Sequence, residues 1–273
     1  MEPIKTEEKE VRRIALIDAD FIPYYVCYNK RDENDVVVEK TFDDCKLLVD
    51  SFIETMLKST KATHFLLAFT VGKCFRYNVN PLYKAQRKHE PIPFLKETKE
   101  YLIDKYKGLH NPYYEADDIV VSIKKNIYKN ESFIISPDKD ILNLEGTHWN
   151  PKKNEWVVTT KDKADRYFWG SVIIGDSADN IKGIPKKGEK YVEKIFGEIT
   201  QSNSLSVLVY LEYLNHFGEK EGIEELYKNY MCLKIDDRVV DVNENIQLIE
   251  VKIEEEQLKE IDEKKDKRNG DIL

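Results

Sequence analysis

Acidic residues recur in this chain where a short apolar run ends or where a helix is about to begin. In an α/β fold with a parallel sheet, the carboxyl ends of the strands lie along one edge, so side chains distant in sequence meet there. Converging carboxylates repel one another unless a cation lies among them, and divalent cations such as Mg²⁺ prefer oxygen ligands. The acids are Asp18 and Asp20 in IALIDADF, Glu115, Asp117 and Asp118 in YYEADDIV, Asp138 and Asp140 in FIISPDKDIL, and Asp176 and Asp179 in VIIGDSADNIKG.

Each acidic segment also has a local interpretation that involves no metal. The acids at 115–118 can complement the dipole of a helix start, for about 0.3 to 1 kcal/mol each. Asp138 is a candidate for a turn or a helix cap, and a single Asp after a strand, such as Asp18, is common. The Gly-bounded loop at 175–190 fits an ordinary helical corner as well as a cradle of backbone amides for a phosphate. Four such segments in one chain favour divalent cations and metal-assisted phosphoryl chemistry.

The hydrophobic pattern predicts alternating strands and helices up to about residue 170, and helices alone beyond it. Such alternation indicates a mostly parallel sheet covered by helices on both faces, followed by a helical lobe. The charge-rich end of the chain predicts a frayed helix or a tail. The predicted strands are 13–17, 64–69 and 132–135, and the predicted helices are 42–59, 82–88, 94–107, 116–128, 191–196, 205–217 and 223–233.

Composition narrows the class of protein. A chain of 273 residues with 41% hydrophobic residues can bury one large core and a smaller lobe. No apolar run approaches the roughly 20 residues that span a bilayer, and the first residues lack a signal-peptide pattern, so a cytoplasmic protein is expected. The cysteines (Cys27, Cys45, Cys74 and Cys232) are too scattered for a zinc site and predict reduced core thiols.

The distribution of charge matters more than its sum. A net charge of −8 argues mildly against a nucleic-acid partner, because polyphosphate binding needs a positive surface. Much of that negative charge, however, lies in the acidic segments and at the two ends of the chain. Local basic clusters remain at Lys84, Arg87 and Lys88 and at Lys182, Lys186, Lys187 and Lys190.

The ordered set IDADF, LLAFT, FR, PLYKAQRK, YEADD, IISPDKD and GDSADNIKGIPKKG resembles the flap endonuclease and 5′→3′ exonuclease family, particularly its bacteriophage exonucleases. The resemblance covers residues 13 to 235. It implies a PIN-like α/β nuclease core with a helical arch and a helical, helix-hairpin-helix-like lobe. The implied division is a core at 11–170 with the arch at about 77–108, a DNA-binding lobe at 171–240 and a charged segment at 241–273.

The resemblance also implies an activity. It predicts a structure-specific 5′ nuclease of DNA replication or repair that cuts DNA at 5′ ends, nicks and flaps. RNA in RNA–DNA hybrids is a further expected substrate. Two Mg²⁺ or Mn²⁺ ions would hold the phosphate, activate a water and stabilise the leaving oxygen in an in-line displacement. A K⁺ ion at the hairpin loop, a monomeric state and a phage origin complete the expectation.

Residue by residue, the resemblance divides the polar residues into three roles. The implied metal ligands, direct or through water, are Asp18, Glu115, Asp117, Asp118, Asp138, Asp140, Asp176 and Asp179, with Asp20 as a supporting acid. Lys84 and Arg76 are implied at the scissile phosphate. The implied DNA contacts are Tyr83, Arg87, Lys88, Gly183, Lys186, Lys187, Gly188 and Lys190.

Two departures from the family pattern stand out. Many relatives have Asp where this chain has Thr70, so one implied metal ligand is missing. The family's PGxG is here Pro185-Lys186-Lys187-Gly188, which adds positive charge. Two other functions stay open at this point: a catalytically weakened DNA-binding accessory protein, which Thr70 favours, and a haloacid-dehalogenase-like phosphatase. The phosphatase interpretation leaves the segments YKAQRK and GIPKKG without a role.

Thr70 provides the first test. If the missing carboxylate weakens one metal site, Thr70→Asp should lower the Mg²⁺ concentration needed for half-maximal activity, because Mg²⁺ favours anionic oxygen ligands. A Mg²⁺ titration of cleavage by the folded variant measures this. An unchanged titration would mean that another residue already supplies the ligand.

Overall fold

One central sheet with two buried faces organises this chain. The computed structural model describes residues 12–31, 34, 37–87, 91–238 and 246–251. The strands there are β1 (Ile14–Asp18), β2 (Lys30–Arg31), β3 (Val37–Val38), β4 (His64–Thr70), β5 (Leu109–Asn111), β6 (Ser132–Ile135), β7 (Gly146–Asn150), β8 (Glu155–Thr159), β9 (Gly175–Asp176), β10 (Ile181–Lys182) and β11 (Ile249–Glu250). The helices are α1 (Phe21–Cys27), α2 (Phe42–Thr60), α3 (Arg76–Val79), α4 (Leu95–Tyr106), α5 (Ala116–Asn126), α6 (Lys161–Ile174), α7 (Glu189–Phe196), α8 (Ser202–Phe217) and α9 (Glu219–Leu233), with 3₁₀ turns η1 (Lys129–Glu131) and η2 (Lys139–Asn143).

The sheet is mostly parallel, as predicted. β1 lies in the middle, with β4 and β6 parallel on either side, and Asp18 is in register with Ala68. β5 and β7 continue the parallel pairing outward, whereas β8 and β11 are antiparallel. The carboxyl ends of β1, β4 and β6 therefore lie side by side, and two of the acidic segments lie at or directly after the ends of β1 and β6.

Both faces of the central strands are buried, which explains their unbroken apolar character. Alternate residues point to opposite faces, so Ala15 and Ile17 pack under α1, α2 and α4, whereas Ile14 and Leu16 pack under α5. The spans of α2, β4 and β6 agree with the sequence prediction to within one residue.

The helices after β8 enclose a separate apolar cluster. α6 to α9 bury Ile173, Phe196, Val209 and Tyr213, and Tyr83 from the other half of the chain joins them. The predicted division at residue 170 falls inside α6, and the domain boundaries stay a prediction. None of the helices in the described ranges is long and apolar enough to cross a membrane. The four cysteines are buried free thiols, as expected.

The structure differs from the sequence prediction at several elements. Residues 82–86 form successive turns rather than a helix, with Lys84 in the left-handed region at φ 56°, where a helix cannot continue. The β7–β8 hairpin and α6 were not predicted, because their apolar residues are interrupted by charged and polar ones. The short strand β11 lies within the predicted charged segment 241–273, of which the structure describes only residues 246–251.

Candidate active site

The carboxyl ends of β1 and β6 bring the first acids together. The Ser136 hydroxyl donates to Asp18 Oδ2 at 3.0 Å and accepts from the backbone N–H of Asp138 at 3.1 Å. Asp138 in turn caps η2 by accepting from the Asp140 amide at 3.0 Å. The local interpretation of Asp138 as a cap and its convergence with Asp18 are therefore both correct.

The start of α5 supplies the second group of acids. Glu115 and Asp118 form a reciprocal capping box, in which Asp118 accepts from the Glu115 amide at 3.0 Å. Thr70, at the end of β4, accepts from the Ala116 amide at 3.0 Å through its hydroxyl. The first turn of α5 is thus fixed to the strand ends, and Asp117 lies close enough to Asp18 for the two charges to interact.

Four of the eight predicted metal ligands form ion pairs. Glu115 Oε1 lies 2.5 Å from Lys84 Nζ, and Asp176 Oδ2 lies 3.0 Å from Lys139 Nζ. Asp179 pairs with Arg87, and Asp118 pairs with Arg76. Burial alone would raise the pKa of Glu115, but the charges of Lys84 and Arg76 outweigh it and hold that pKa below its usual value.

The other four acids carry the uncompensated negative charge of the site. Asp18, Asp117, Asp138 and Asp140 have no ion pair among the residues that the structure describes. Burial, with the charges of Asp20 and Asp138, raises the pKa of Asp18 to about 7. Burial, with the charges of Asp138 and Asp176, raises the pKa of Asp140 to about 7. The pKa of Asp117 is also well above its usual value, because the group is buried beside Asp118.

A divalent cation fits this donor set, because it would replace repulsion by attraction at each of the four unpaired carboxylates. Within the described ranges, no three acidic, histidine or cysteine side chains lie as close together as the ligands of a bound metal. The acids that pair with Lys84, Arg87 and Lys139 point toward those cations instead. Metal binding would thus require short movements of side chains.

The structure places Arg76 and Asp118 in the interior, away from any phosphate. Arg76 is 2% exposed and donates to both Asp118 oxygens at 2.7 and 2.8 Å. It also donates to the carbonyls of Cys232 and Lys234, so the pair fastens α3 and α5 to the end of α9. Asp118 accepts from the Asp236 amide as well, at 2.7 Å. This geometry supports neither the predicted contact of Arg76 with the scissile phosphate nor direct metal ligation by Asp118, and both stay predictions.

The basic segment 82–87 is docked on the loop between β9 and β10. The Lys84 amide donates to the Asp179 carbonyl at 2.9 Å, and the Asn180 side chain donates to the Leu82 carbonyl at 2.8 Å. Lys84 and Arg87 both reach the Asp179 carboxylate, although no helix face joins them. Lys88 lies outside the described residues.

Tyr83 has a different role from the predicted DNA contact. Its side chain is 2% exposed, so it cannot reach a nucleic acid in this arrangement. Its hydroxyl lies 2.8 Å from Glu115 Oε2 and 3.0 Å from Asp179 Oδ2, and its single hydrogen can serve only one of them fully. Tyr83 thus links Glu115 and Asp179 from the buried side of the site.

The hairpin that carries Asp176 and Asp179 packs tightly against α6. A Cβ on Gly183 would lie 2.2 Å from the Ile173 carbonyl oxygen, so only glycine fits there. Gly188 caps α7 and has open space around its α-carbon. Lys186 and Lys190 are exposed, whereas Lys187 lies over the Tyr191 ring and 3.8 Å from Glu212.

Three residues of the site were missed by sequence reasoning. Lys139 lies between two predicted ligands and pairs with Asp176, a contact that its neighbours in sequence could have suggested. Tyr167 on α6 lies near Asp140, which together with burial raises the pKa of Tyr167 to about 12. Lys99 on α4 donates to Asp20 Oδ1 at 2.7 Å, and no local pattern connects residues so far apart.

Comparison with known proteins finds a matching family and several relatives. The family described as 5′-3′ exonuclease, N-terminal resolvase-like domain, matches residues 13–167, more than half of the chain. DNA polymerase I of Bacillus subtilis is 31% identical over 63% of this chain, which corresponds to 21% of the polymerase. The chain thus spans about a fifth to a quarter of the length of such polymerase relatives.

Two further relatives match over most of their length. A 5′-3′ exonuclease of Mycoplasmopsis pulmonis is 26% identical over 92% of this chain and 90% of its own. The flap endonuclease of bacteriophage T5, solved in complex with DNA and metal ions, superposes with a TM-score of 0.65 at 21% identity, over 82% of this chain and 89% of its own. At that identity the superposition establishes the fold alone.

The unpaired acids generate a prediction about metal-free stability. Because the pKa of Asp140 is raised in the folded state, metal-free protein should lose stability as the pH rises from about 4 to about 7. Replacing Asp138 and Asp140 by Asn removes the part of this loss that Asp140 causes and leaves the part due to Asp18 and Asp117, whose pKa values are also raised. The double variant should therefore melt several degrees above the unmodified protein at pH 8, with a gap that narrows toward pH 4. Thermal melts in EDTA across that range measure it.

The same double variant tests metal ligation. Added Mg²⁺ should raise the melting temperature of the unmodified protein more than that of the variant, and the variant should lose Mg²⁺-dependent cleavage. Equal Mg²⁺ stabilisation of both proteins, or cleavage retained at more than a small fraction, would contradict ligation by these two acids.

Proposed function

Because the chain belongs to the 5′-3′ exonuclease family, and is therefore a nuclease, we propose that it hydrolyses phosphodiester bonds at 5′ ends, nicks and flaps of duplex DNA with two divalent cations, Mg²⁺ or Mn²⁺. The observation that carries the proposal is the set of four unpaired carboxylates, three at or just after the ends of β1 and β6 and one in the first turn of α5, with Lys84 and Arg87 paired to the neighbouring acids Glu115 and Asp179. The flap endonuclease of phage T5, which shares this fold, binds DNA and metal ions in its crystal, and this supports both parts of the proposal.

Asp18, Asp117, Asp138 and Asp140 would hold the cations, with Glu115, Asp176 and Asp179 joining once their basic partners move. Bound divalent cations would supply a water of lowered pKa and neutralise charge on the leaving oxygen. They would also release Lys84 from Glu115, whose charge at present helps to raise the pKa of Lys84 despite burial. Asp118 and Arg76 would act from the interior, by fixing α5 and thus Asp117.

The basic residues would bind and orient the nucleic acid. Lys84 and Arg87 stand at the rim of the acids, with 20% and 43% of their side-chain surfaces exposed. Paired with carboxylates in the absence of substrate, they can exchange those partners for phosphate oxygens. Lys186 and Lys190, beside the open Gly188, would contact the duplex backbone away from the cut, with a K⁺ ion as a further proposed ligand of that hairpin.

Cleavage assays on matched substrates test the proposal. A 5′-labelled duplex, a nicked duplex, a 5′ flap and an RNA–DNA hybrid should be incubated with Mg²⁺, with Mn²⁺ and with EDTA. We expect cleavage at 5′ ends or flap junctions that EDTA abolishes. Binding of flap DNA without any metal-dependent product would instead indicate a DNA-binding accessory protein.

Lys84 should act in the chemical step. Lys84→Ala should lower the single-turnover rate at saturating DNA by about 10² to 10³, as the loss of one charge-stabilising donor does. Arg87→Ala should mainly weaken binding to substrates with a free 5′ strand, because Arg87 is more exposed and touches Asp179 alone among the acids. Equal, modest and salt-sensitive losses of binding in both variants, with normal single-turnover rates, would refute the catalytic role of Lys84.

The hairpin lysines should affect binding without affecting chemistry. Replacing Lys186 and Lys190 by Ala should flatten the salt dependence of DNA binding by up to about one unit of slope for each phosphate that is no longer neutralised, and leave the single-turnover rate intact. Adding Lys187→Ala should change the slope less, because Lys187 already pairs with Glu212. Lys152 on the β7–β8 turn and Lys163 on α6 are exposed and have no ion pair among the described residues, so they provide a control pair of equal charge. An equal effect there would mean that the hairpin lysines contribute only general attraction for DNA.

A further inference from the structure

Lys99, on α4, contacts one residue just beyond the end of β1 and one at the end of β4. Its ammonium lies 2.7 Å from Asp20 Oδ1 and 2.5 Å from the Thr70 carbonyl oxygen. The Lys99 and Asp20 side chains are each 30% exposed, so the pair is largely shielded from water. Such shielding makes an ion pair stronger than one on the open surface.

Asp20 is held on a second side by the backbone. Both of its carboxylate oxygens accept from the Thr70 amide, at 3.1 and 3.2 Å. Thr70 continues the connection, because its hydroxyl accepts from the Ala116 amide at the start of α5. A continuous set of contacts therefore runs from α4 through Asp20 and Thr70 to the turn that carries Asp117.

Asp20 is nevertheless close to the unpaired acids. It lies two residues after Asp18, and its negative charge acts on Asp18. A carboxylate in this position can serve in one of two ways. It can ligate a cation together with Asp18, or it can brace the backbone between β1 and β4. The ammonium of Lys99 decides between these roles, since it already neutralises Asp20.

We propose that Lys99 is a positioning residue that withholds Asp20 from the metal and reserves it as a brace between the ends of β1 and β4. The inference rests on the proposed nuclease function for its catalytic part only. The Lys99 ammonium is thus a fixed positive charge next to the proposed divalent cations. By pairing with Asp20, Lys99 leaves the metal to the other carboxylates of the site, in the arrangement that supports cleavage.

The proposal predicts opposite changes in metal affinity and rate. Lys99→Met keeps most of the unbranched side chain but removes its charge, so Asp20 becomes available as an additional ligand. Mn²⁺ should then bind to the protein without DNA about 3- to 10-fold more tightly, measured by titration calorimetry. The single-turnover rate at saturating Mn²⁺ and DNA should fall about 10-fold or more, because the metal is held by an additional and misplaced carboxylate.

A second substitution in the same protein should reverse both changes. Asn at position 20 keeps an oxygen for the Thr70 amide but has no charge, so Asp20→Asn combined with Lys99→Met should return the Mn²⁺ affinity and most of the rate. Lys99→Arg, which retains the charge, should resemble the unmodified protein. Lys105→Met is the matched control, since Lys105 lies on the same helix and pairs at 2.7 Å with Asp50, which is not among the acids of the site.

Each other outcome overturns the proposal in a distinct way. Weaker Mn²⁺ binding together with a lower melting temperature and no rescue would make Lys99 a merely structural contact. Unchanged Mn²⁺ binding with weaker, salt-sensitive DNA binding would make it a phosphate contact. If the unmodified protein cleaves none of the substrates, the proposed function fails, but the Mn²⁺ titrations of the three variants still decide the role of Lys99.

Discussion

Repulsion between carboxylates at one edge of the sheet is the constraint on which the rest of this structure depends. The parallel strands β1 and β6 deliver acids to the same edge, and the start of α5 adds its own, held there by Thr70 at the end of β4. The chain offsets part of that repulsion with basic side chains from segments far apart in sequence: Lys84, Arg87, Lys99 and Lys139. The remaining negative charge is what the proposed cations would neutralise.

The buried ion pair serves stability, whereas the partly exposed ion pairs at the rim of the acids serve the proposed chemistry. The buried Arg76–Asp118 pair satisfies carbonyls and an amide around it, and breaking a pair of this kind costs about 3 to 5 kcal/mol. The pairs of Lys84 and Arg87 are partly open to water, so exchange of their partners is far less costly. Lys84 and Arg87 can therefore change partners while the buried Arg76–Asp118 pair keeps α5 in place.

The sequence predicted what depends on local periodicity and missed what depends on distant partners. Short continuous apolar runs located β4 and β6, and the ends of such runs located Asp18 and Asp138, because each signal lies within a few residues. The turn at 82–86 escaped prediction because its conformation is set by contacts to the β9–β10 loop, about 95 positions later. Arg76 was misplaced for a related reason: nothing near it reveals that Asp118 and two carbonyls of the α9 end enclose it.

The pairing of β4 has a consequence for how the protein forms during synthesis. One edge of β4 is covered in two parts, by β5 at Ala68 to Thr70 and by β11 at His64 and Phe65. β5 follows β4 closely in the chain, whereas β11, at Ile249–Glu250, is synthesised long after both. Until then the amino-terminal half of this edge presents unpaired backbone groups, which are a template for another chain. The arrival of β11 therefore closes the sheet against association between nascent copies.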